Sequence, residues 1–328
     1  MKTSDFDYEL PPELIAQTPS TPRDASRLLV CGRRSGNLVH RTFRDIVEYL
    51  QPGDALVINH TKTIPARLIG KKAETGGALE FLLLKRQDAN TWEALVRPGK
   101  KLQPGARCEF GEGLLRAEVL ERTSAEGGRL VRFFYEGIFE EILDELGSMP
   151  LPPYIHEKLD DPQRYNTVYA KFDGSAATPT AGLHFTPELL RKIESKGITV
   201  VPVLLHVGLG TFRPVKAEDV SEHVMHSEYY EVSKEAADAL NQVRTNGGRI
   251  VCVGTTAVRT LETVADEHGV INPGGGNTNI FITQGVSFHA TDALLTNFHV
   301  PQSTLLLLVC AILGRGHAMQ AYEECVEE

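Results

Sequence analysis

The side chains best suited to proton transfer cluster in the second half of the chain. Nine of the eleven histidines lie after residue 150, and imidazole is the side chain whose ordinary pKa lies nearest to neutrality. Four of them stand near predicted strand ends or turns: His184, His206, His226 and His299. This placement predicts one convergent site for general acid–base chemistry. A packed core histidine is the competing interpretation for each of them alone.

Two turns that contain these histidines also offer hydrogen-bond donors. In the run Thr178–Thr186, small residues and hydroxyls around Thr180 and Gly182 precede a capped helix, and backbone donors at such a turn bind anions; an ordinary turn before a helix is the alternative. The run Leu205–Pro214 adds Thr211 and Arg213 around a Gly-x-Gly turn. Because the full dinucleotide fingerprint is absent, that turn identifies no cofactor.

A third stretch, Glu222–Tyr229, contains two histidines and two acids within its first seven positions. Such a cluster is typical of acid–base catalysis or of a metal site, and a solvated polar stretch is the alternative. A metal-dependent hydrolase that uses His206, His223, His226 and Glu228 is therefore a rival function.

Two further segments place polar side chains at strand ends. Thr255 and Thr256 lie on a strand-to-helix turn, and Arg259 and Glu262 on the following helix are spaced to pair with each other. Asn297 and His299 alternate along an extended segment, so they are expected to point to the same side.

The elements that must position these residues fall into two groups. Residues 62–135 are predicted to form short strand runs about 8 to 12 residues apart with glycine, proline and asparagine between them, which is typical of a small antiparallel barrel or sandwich. The runs are Glu80–Lys85, Trp92–Arg97, Arg107–Phe110, Leu114–Leu120 and Leu130–Tyr135.

The rest of the chain alternates helix and strand. Helices are predicted to begin after Thr186 and Ser233, both of which can cap a helix. The other predicted elements are the helices Phe43–Leu50, Ala257–His268 and Thr304–Leu313, the strands Ala55–Asn59, Ile198–Val207 and Arg249–Val253, and a loop at Gly274–Gly276. The pattern predicts an α/β domain formed by residues 1–61 and 154–328, with a small antiparallel β-barrel, residues 62–153, inserted into it.

Charge is distributed unevenly along the chain. The formal net charge is −9, which excludes a uniformly basic nucleic-acid coat protein, yet residues 62–132 carry 14 Lys+Arg against 9 Asp+Glu, a local charge of +5. A second basic run lies between Arg23 and Arg44. Together they predict a positive face for a phosphate backbone, with solvated surface arginines as the alternative.

The sequence also predicts a cytoplasmic protein. The longest apolar run, Leu305–Leu313, is nine residues, well short of the about 20 that cross a bilayer. The first residues have no secretory signal pattern. The five cysteines show no Cys-x-x-Cys spacing, so reduced thiols and no metal site are expected.

Several motifs resemble the S-adenosylmethionine:tRNA ribosyltransferase-isomerase family of queuosine biosynthesis, and the resemblance extends from residue 4 to about 325. They are Ser4–Tyr8, Pro22–Leu28, Pro65–Leu68, Val96–Lys100, Met149–Ile155, Pro179–Thr186, Leu205–Pro214 and Gly254–Thr256. The resemblance implies a barrel-like α/β domain with a smaller inserted β-barrel.

The resemblance also implies the reaction and its partners. The ribosyl part of S-adenosylmethionine would be transferred to 7-aminomethyl-7-deazaguanine at the wobble position of a tRNA with a GUN anticodon, and isomerised. The products would be epoxyqueuosine-tRNA, adenine and methionine. S-adenosylmethionine is then a consumed co-substrate, no other cofactor or metal is expected, and the protein is expected to be a monomer.

Site roles follow from that resemblance together with the residue types. His184, His206 and His299 are predicted to transfer protons, with Glu228 as an alternative base. Arg67, Arg97 and Lys100 would hold phosphates, and Tyr154, Tyr165 and Tyr169 would stack on a base. The remaining predicted substrate contacts are Asn59, Thr180, Gly182, Thr211, Arg213, His226, Thr255, Thr256, Arg259 and Asn297.

The sequence departs from the family pattern in four places. His60 stands where a small polar residue is usual, an aromatic is absent near Asn277, and Thr283-Gln284 replaces Tyr-Pro. The run Tyr-Arg-Phe-Phe-Ser-Tyr-Gly-Asp-Ala-Met, expected after residue 325, is not present in the sequence. A noncatalytic tRNA-binding homologue is therefore a further alternative.

Overall fold

The structure, a computed structural model, describes residues 1–123, 127–208, 215 and 217–328. The chain folds into two compact units. The α/β unit consists of Met1–Thr61, Pro153–Lys171 and Pro179–Glu328, and the barrel unit of Lys62–Pro152 and Phe172–Thr178.

Elements are numbered in chain order over the described residues. The strands are β1 (Arg27–Cys31), β2 (Leu38–Thr42), β3 (Ala55–Asn59), β4 (Thr61–Thr63), β5 (Arg67–Lys72), β6 (Ala78–Arg86), β7 (Thr91–Arg97), β8 (Arg107–Phe110), β9 (Leu115–Arg122), β10 (Gly128–Phe134), β11 (Gly147–Ser148), β12 (Phe172–Ser175), β13 (Thr199–Leu205), β14 (Glu228–Val232), β15 (Ile250–Val253), β16 (Gly274–Thr278) and β17 (Ala293–Leu295). The α-helices are α1 (Ile46–Tyr49), α2 (Phe139–Leu146), α3 (Pro187–Ser195), α4 (Lys234–Thr245), α5 (Thr255–Val264), α6 (Thr304–Leu313) and α7 (Arg315–Glu327).

The α/β unit contains a six-stranded mixed sheet in the order β16-β14-β13-β3-β15-β17. The strands β13, β3, β15 and β17 are parallel, whereas β14 and β16 pair antiparallel at one side. Because parallel strands share one direction, the four parallel strands end at the same edge of the sheet. This edge is where an α/β fold usually binds its ligands.

Helices cover both faces of this sheet. All five residues of β3 are buried, as expected for a central strand covered on both sides. Ala55 and Val57 pack in one core cluster with residues of α4 and α5, while Leu56 and Ile58 pack in another with residues of α1 and α3. The alternation of side chains along a strand accounts for this division.

The barrel unit is a closed antiparallel barrel. Six strands run in the order β5-β6-β7-β10-β9-β8, and β5 pairs with β8 to close the ring. Three fully buried rings, Phe81, Phe110 and Phe133, lie at its centre with centroids 5.2 to 6.5 Å apart. The predicted fold class, a mixed α/β protein with an inserted antiparallel β-barrel, is confirmed.

Three local predictions differ from the structure. The glycine run 274–276, predicted as a loop, is part of β16 because it pairs with β14; long-range pairing overrides the low strand propensity of glycine. Helix α5 begins at Thr255 and ends at Val264, earlier at both ends than predicted. Residues 172–178 belong to the barrel unit, where Ser175 accepts a hydrogen bond from the Ile64 amide.

No single helix of the described residues is long and apolar enough to cross a membrane. The pair α6 and α7 reaches that length and composition only when the two helices are taken together, and the pair is bent by 117°.

Asp54 ties the amino ends of the parallel strands together. Its buried carboxylate accepts hydrogen bonds from the Gln51 amide and from the amide and guanidinium of Arg249. Burial alone would raise the pKa of Asp54, but the hydrogen bonds from Arg249 and Gln51 outweigh it and lower that pKa.

We expect Asp54→Ala to lower the free energy of unfolding by about 2 to 3 kcal/mol at neutral pH, because charge-assisted hydrogen bonds are lost. The pKa of Asp54 is lower in the folded state than its value of about 3.9 in the unfolded state. The carboxylate therefore stabilises the fold fully above pH about 3.9, and this stabilisation is lost as the pH falls through the lower pKa of the folded state. Urea unfolding of both proteins from neutral pH to pH about 3 measures the difference. A difference that does not shrink on acidification contradicts the assignment.

Candidate active site at the carboxyl ends of the parallel strands

The structure brings four predicted segments to one edge of the α/β sheet. Strand β3 ends at Asn59 and leads to Thr61, β13 leads to His206–Gly208, β15 leads to Gly254–Thr256, and β17 leads to Thr296–His299. These segments are far apart in sequence and are gathered by the parallel pairing of the strands that carry them. The predicted residues Thr211 and Arg213 lie outside the described residues.

His184 ends the 3-10 helix Thr180–His184 and lies between two polar side chains. Its Nδ1 is 2.7 Å from Ser26 Oγ, and its Nε2 is 2.9 Å from Asn297 Nδ2. An amide nitrogen can only donate, so Nε2 accepts this hydrogen bond, and Nδ1 carries the proton and donates to Ser26. Burial, together with the charge of Arg23, lowers the pKa of His184, so the ring is neutral near pH 7.

A cavity of about 300 Å³ opens beside this pair. His184 and Asn297 line it together with apolar side chains such as Phe43, Leu295 and Phe298. The Asn297 Oδ1 is buried and accepts no hydrogen bond from the described residues. A buried acceptor without a donor is costly, so this oxygen is suited to a ligand N–H or O–H.

His206 lies on the neighbouring strand end. Its Nδ1 is 2.8 Å from Thr61 Oγ1, and its ring stacks on Tyr229 with centroids 5.9 Å apart. Asn59, predicted to contact substrate, is only 1 % exposed and bonds the backbone of Leu205 in both directions. It therefore links β3 to β13 and has no surface for a substrate.

Glu228 and Arg259 form a buried ion pair through Oε2 and Nη1. The other carboxylate oxygen of Glu228 accepts a hydrogen bond of 2.7 Å from the Gly208 amide. With both oxygens engaged and a guanidinium beside it, Glu228 is poorly placed to serve as a base. The pair that the spacing of Arg259 and Glu262 suggested does not form, because Arg259 pairs with Glu228 and Glu262 accepts hydrogen bonds from the backbone of residues 289–291.

Arg259 and Thr256 offer donors at the amino end of α5. Both side chains are buried, at 4 % and 5 % exposed. Among the described residues, no acceptor meets Nε and Nη2 of Arg259 or Oγ1 of Thr256. Helix α5 has no side-chain cap at Gly254, so its first amides add a partial positive charge. This arrangement is suited to a carboxylate.

The other predicted histidines have different surroundings. Burial lowers the pKa of His299 to about 4, and its Nε2 lies 3.1 Å from Thr296 Oγ1. His223 packs on the ring of Phe281, and His226 is exposed. Within the described part of the chain, no group of three or more His, Cys, Asp or Glu side chains is placed to hold a metal ion.

The three predicted stacking tyrosines differ in exposure. Tyr165 is buried, and Tyr169 is half-buried and packs edge-on against Phe185. Burial raises the pKa of Tyr154, whose ring is half-buried. A Cβ atom on Gly182 would lie 2.1 Å from the Tyr169 hydroxyl; this glycine is a packing requirement of the 3-10 helix that carries His184.

The predicted phosphate contacts lie in the barrel unit. Arg67 is on β5, Arg97 ends β7, and Lys100 follows in the next loop. Glu80 lies opposite Arg97 in the β6–β7 register and 3.8 Å from Arg67, so it offsets part of their charge. Sequence reasoning missed Ser26 and Thr61, because a hydroxyl 158 residues from His184, or 145 from His206, gives no spacing signal.

The fold and the site together define a two-unit α/β protein with histidines and anion-binding donors at the carboxyl ends of its parallel strands. Residues 3–328 match the family model described as queuosine biosynthesis protein, and the chain belongs to this family.

The relatives share the whole length of the chain. An S-adenosylmethionine:tRNA ribosyltransferase-isomerase of Symbiobacterium thermophilum is 60% identical to this chain over 328 residues, which is 100% of this chain and 96% of the relative. One of Clostridioides difficile is 58% identical with the same coverage. A crystal structure of S-adenosylmethionine tRNA ribosyltransferase from Thermotoga maritima superposes with a TM-score of 0.55 at 40% identity, covering 99% of this chain and 95% of that one. The family is one of enzymes, and so is this chain.

We expect Glu228→Gln to lower the free energy of unfolding by about 3 to 5 kcal/mol, because it leaves the buried Arg259 charge without a counter-charge. Urea unfolding measures the loss. The double variant Glu228→Gln, Arg259→Met should lose less than Glu228→Gln alone, since no unpaired charge remains. A double variant that is no more stable than the single one contradicts this account.

Gly182→Ala should lower stability by about 1 to 3 kcal/mol, because the new methyl group overlaps the Tyr169 hydroxyl. Gly316→Ala is the matched control, since its added Cβ meets open space within α7 and should be neutral or slightly stabilising. Thermal unfolding compares the two. Equal melting temperatures would show that Gly182 is not sterically required.

Proposed function

We propose that this chain transfers the ribosyl part of S-adenosylmethionine to 7-aminomethyl-7-deazaguanine at the wobble position of a GUN-anticodon tRNA and isomerises it. The products are epoxyqueuosine-tRNA, adenine and methionine. The observation that carries the proposal is the neutral His184, held between Ser26 and Asn297 beside a ligand-sized cavity. The names of the full-length relatives support it.

This reaction needs a base that removes a proton beside the sulfonium at the ribose C5′, and a donor that helps adenine to leave. His184 has its Nε2 lone pair directed toward Asn297, so a substrate C–H or N–H that displaces the amide meets a basic nitrogen. His206, bonded to Thr61 through Nδ1, is the second candidate. His299 is a weaker base, because burial holds its pKa at about 4.

The donors on α5 bind the other end of the co-substrate in this proposal. Arg259 and Thr256 have buried N–H and O–H groups without acceptors among the described residues, and the methionine carboxylate of S-adenosylmethionine supplies both a charge and acceptor oxygens. S-adenosylmethionine is consumed rather than retained, and the proposal requires no metal. We expect a monomer that acts in the cytoplasm.

The test is release of adenine from S-adenosylmethionine in the presence of tRNA that carries 7-aminomethyl-7-deazaguanine. We expect His184→Ala to lower kcat by roughly 10² to 10⁴, the usual contribution of a general acid or base. His268→Ala, a change at an exposed histidine with an 80% exposed side chain, is the control and should keep the wild-type rate.

Three outcomes count against the proposal. Adenine release from S-adenosylmethionine in the presence of tRNA that carries an ordinary guanine contradicts the specificity for the modified base. Tight tRNA binding without any adenine release points to a noncatalytic homologue. An unchanged rate in His184→Ala removes this residue from the proton-transfer step.

A further inference from the structure

The loop Arg97–Gln103 of the barrel unit is built around a buried arginine. Arg129 on β10 is 6 % exposed. Its Nε donates to the Leu102 carbonyl over 2.8 Å, its Nη2 to the Gly99 carbonyl over 2.9 Å, and its Nη1 to its neighbour Gly128 over 2.8 Å. Leu102 is 1 % exposed and anchors the same loop in the barrel core. The hydrogen bonds from Arg129 and the burial of Leu102 therefore fix the conformation of the loop.

Gln103 holds the loop from the side. Its Nε2 donates to the carbonyls of Gly99 and Lys100, and its Oε1 accepts a hydrogen bond from Arg122. The carbonyl oxygens are thus occupied inside the loop. Among the described residues, the amides of Gly99 and Lys100 find no acceptor, and the side chains of Lys100 and Lys101 are exposed. The outer surface consequently presents donors and positive charge.

Lys100 and Lys101 of this loop and the buried Arg129 have no acidic partner among the described residues of the barrel unit, whereas Arg97 lies opposite Glu80. A buried guanidinium is normally paired with a carboxylate, yet the Arg129 guanidinium donates to three carbonyls. Its cross-strand neighbour in the β9–β10 register is Arg122, and like charges opposite each other are destabilising. Burial and Arg122 both lower the pKa of Arg129, in keeping with that repulsion.

Elsewhere on the barrel, cations and acids alternate. Lys71 and Arg116 both lie opposite Glu109, and Arg107 lies opposite Glu118. Lys100 and Lys101 form no ion pair with any described residue. Lys100 and Lys101 therefore contribute to the net charge of +5 in residues 62–132 without a neutralising partner among the described residues.

We infer that the loop Arg97–Gln103 is a binding site for the phosphate backbone of RNA, and that Arg129 is the positioning residue that shapes it. This inference rests on the proposed function, which supplies tRNA as the polyanion. Phosphate oxygens bound at the loop supply negative charge near the buried guanidinium, and they accept hydrogen bonds from the amides of Gly99 and Lys100 and from the two lysines.

The test measures binding of a GUN-anticodon tRNA by the full chain at several salt concentrations. For the double variant Lys100→Ala, Lys101→Ala, we expect Kd for tRNA at about 0.15 M salt to rise roughly tenfold. The slope of the logarithm of the binding constant against the logarithm of the salt concentration should fall in magnitude by about 1 to 2. The matched control is the double variant Lys71→Ala, Arg116→Ala, which removes the same amount of charge from two positions opposite Glu109. It should leave the slope near the wild-type value.

Arg129→Met tests the positioning role, because it leaves both lysines in place. KM for tRNA should rise several-fold while KM for S-adenosylmethionine stays constant. Gln103→Ala, a change at a half-buried residue, should also raise KM for tRNA. It provides a second test of the loop conformation if the Arg129 variant does not fold. Thermal unfolding confirms that each variant is folded.

The inference fails if the lysine variant keeps the wild-type Kd and salt slope. It also fails if vesicles of phosphatidylglycerol bind the wild type through these lysines while tRNA binding is unaffected, which would assign the loop to a membrane surface. These results are independent of adenine release. A wild-type protein that binds tRNA through the loop without turnover overturns the proposed function and leaves the phosphate site intact.

Discussion

The parallel pairing of β3 with β13 and β15 is the constraint on which the candidate site depends. Three strands that share one direction must end at the same edge, and β17 extends the set on the far side of β15. Asp54 and Arg249 hold the amino ends in register, and Asn59 joins β3 to β13 at the carboxyl ends. His206, Thr256 and Asn297 lie at one edge of the sheet because parallel pairing and these contacts fix where each strand ends.

Buried charge is handled in two ways in this chain. In the α/β unit, Glu228 neutralises Arg259 but leaves two of its nitrogens without an acceptor among the described residues. In the barrel unit, the Arg129 guanidinium is held by backbone carbonyls. Burying a polar or charged group without full compensation costs free energy. In the two proposals above, both arginines are therefore assigned to anionic ligands, Arg259 to a small carboxylate and Arg129, through the loop that it positions, to a polyanion.

Local sequence patterns predicted much of the fold. The alternating runs of the barrel and the caps of α3 and α4 agree with the structure, because strand and helix periods are encoded over a few residues. Strand β16 was missed, since a glycine-rich segment becomes a strand only when β14 lies beside it. Strand β5 was missed for a similar reason, although its pairing with β8 closes the barrel. Such contacts join residues too distant in sequence to leave a local signal.

The candidate site shows the same division. The sequence by itself determined the residue types, the histidine-rich second half, the α/β class with an inserted barrel and the resemblance to one family. Only the tertiary structure decided that His184 is held by Ser26 and Asn297, that Asn59 links two strands, and that Glu228 is paired with Arg259. A hydrogen bond or an ion pair depends on distances of a few ångströms. Those distances are set by strand order and packing, which spacing along the chain does not encode.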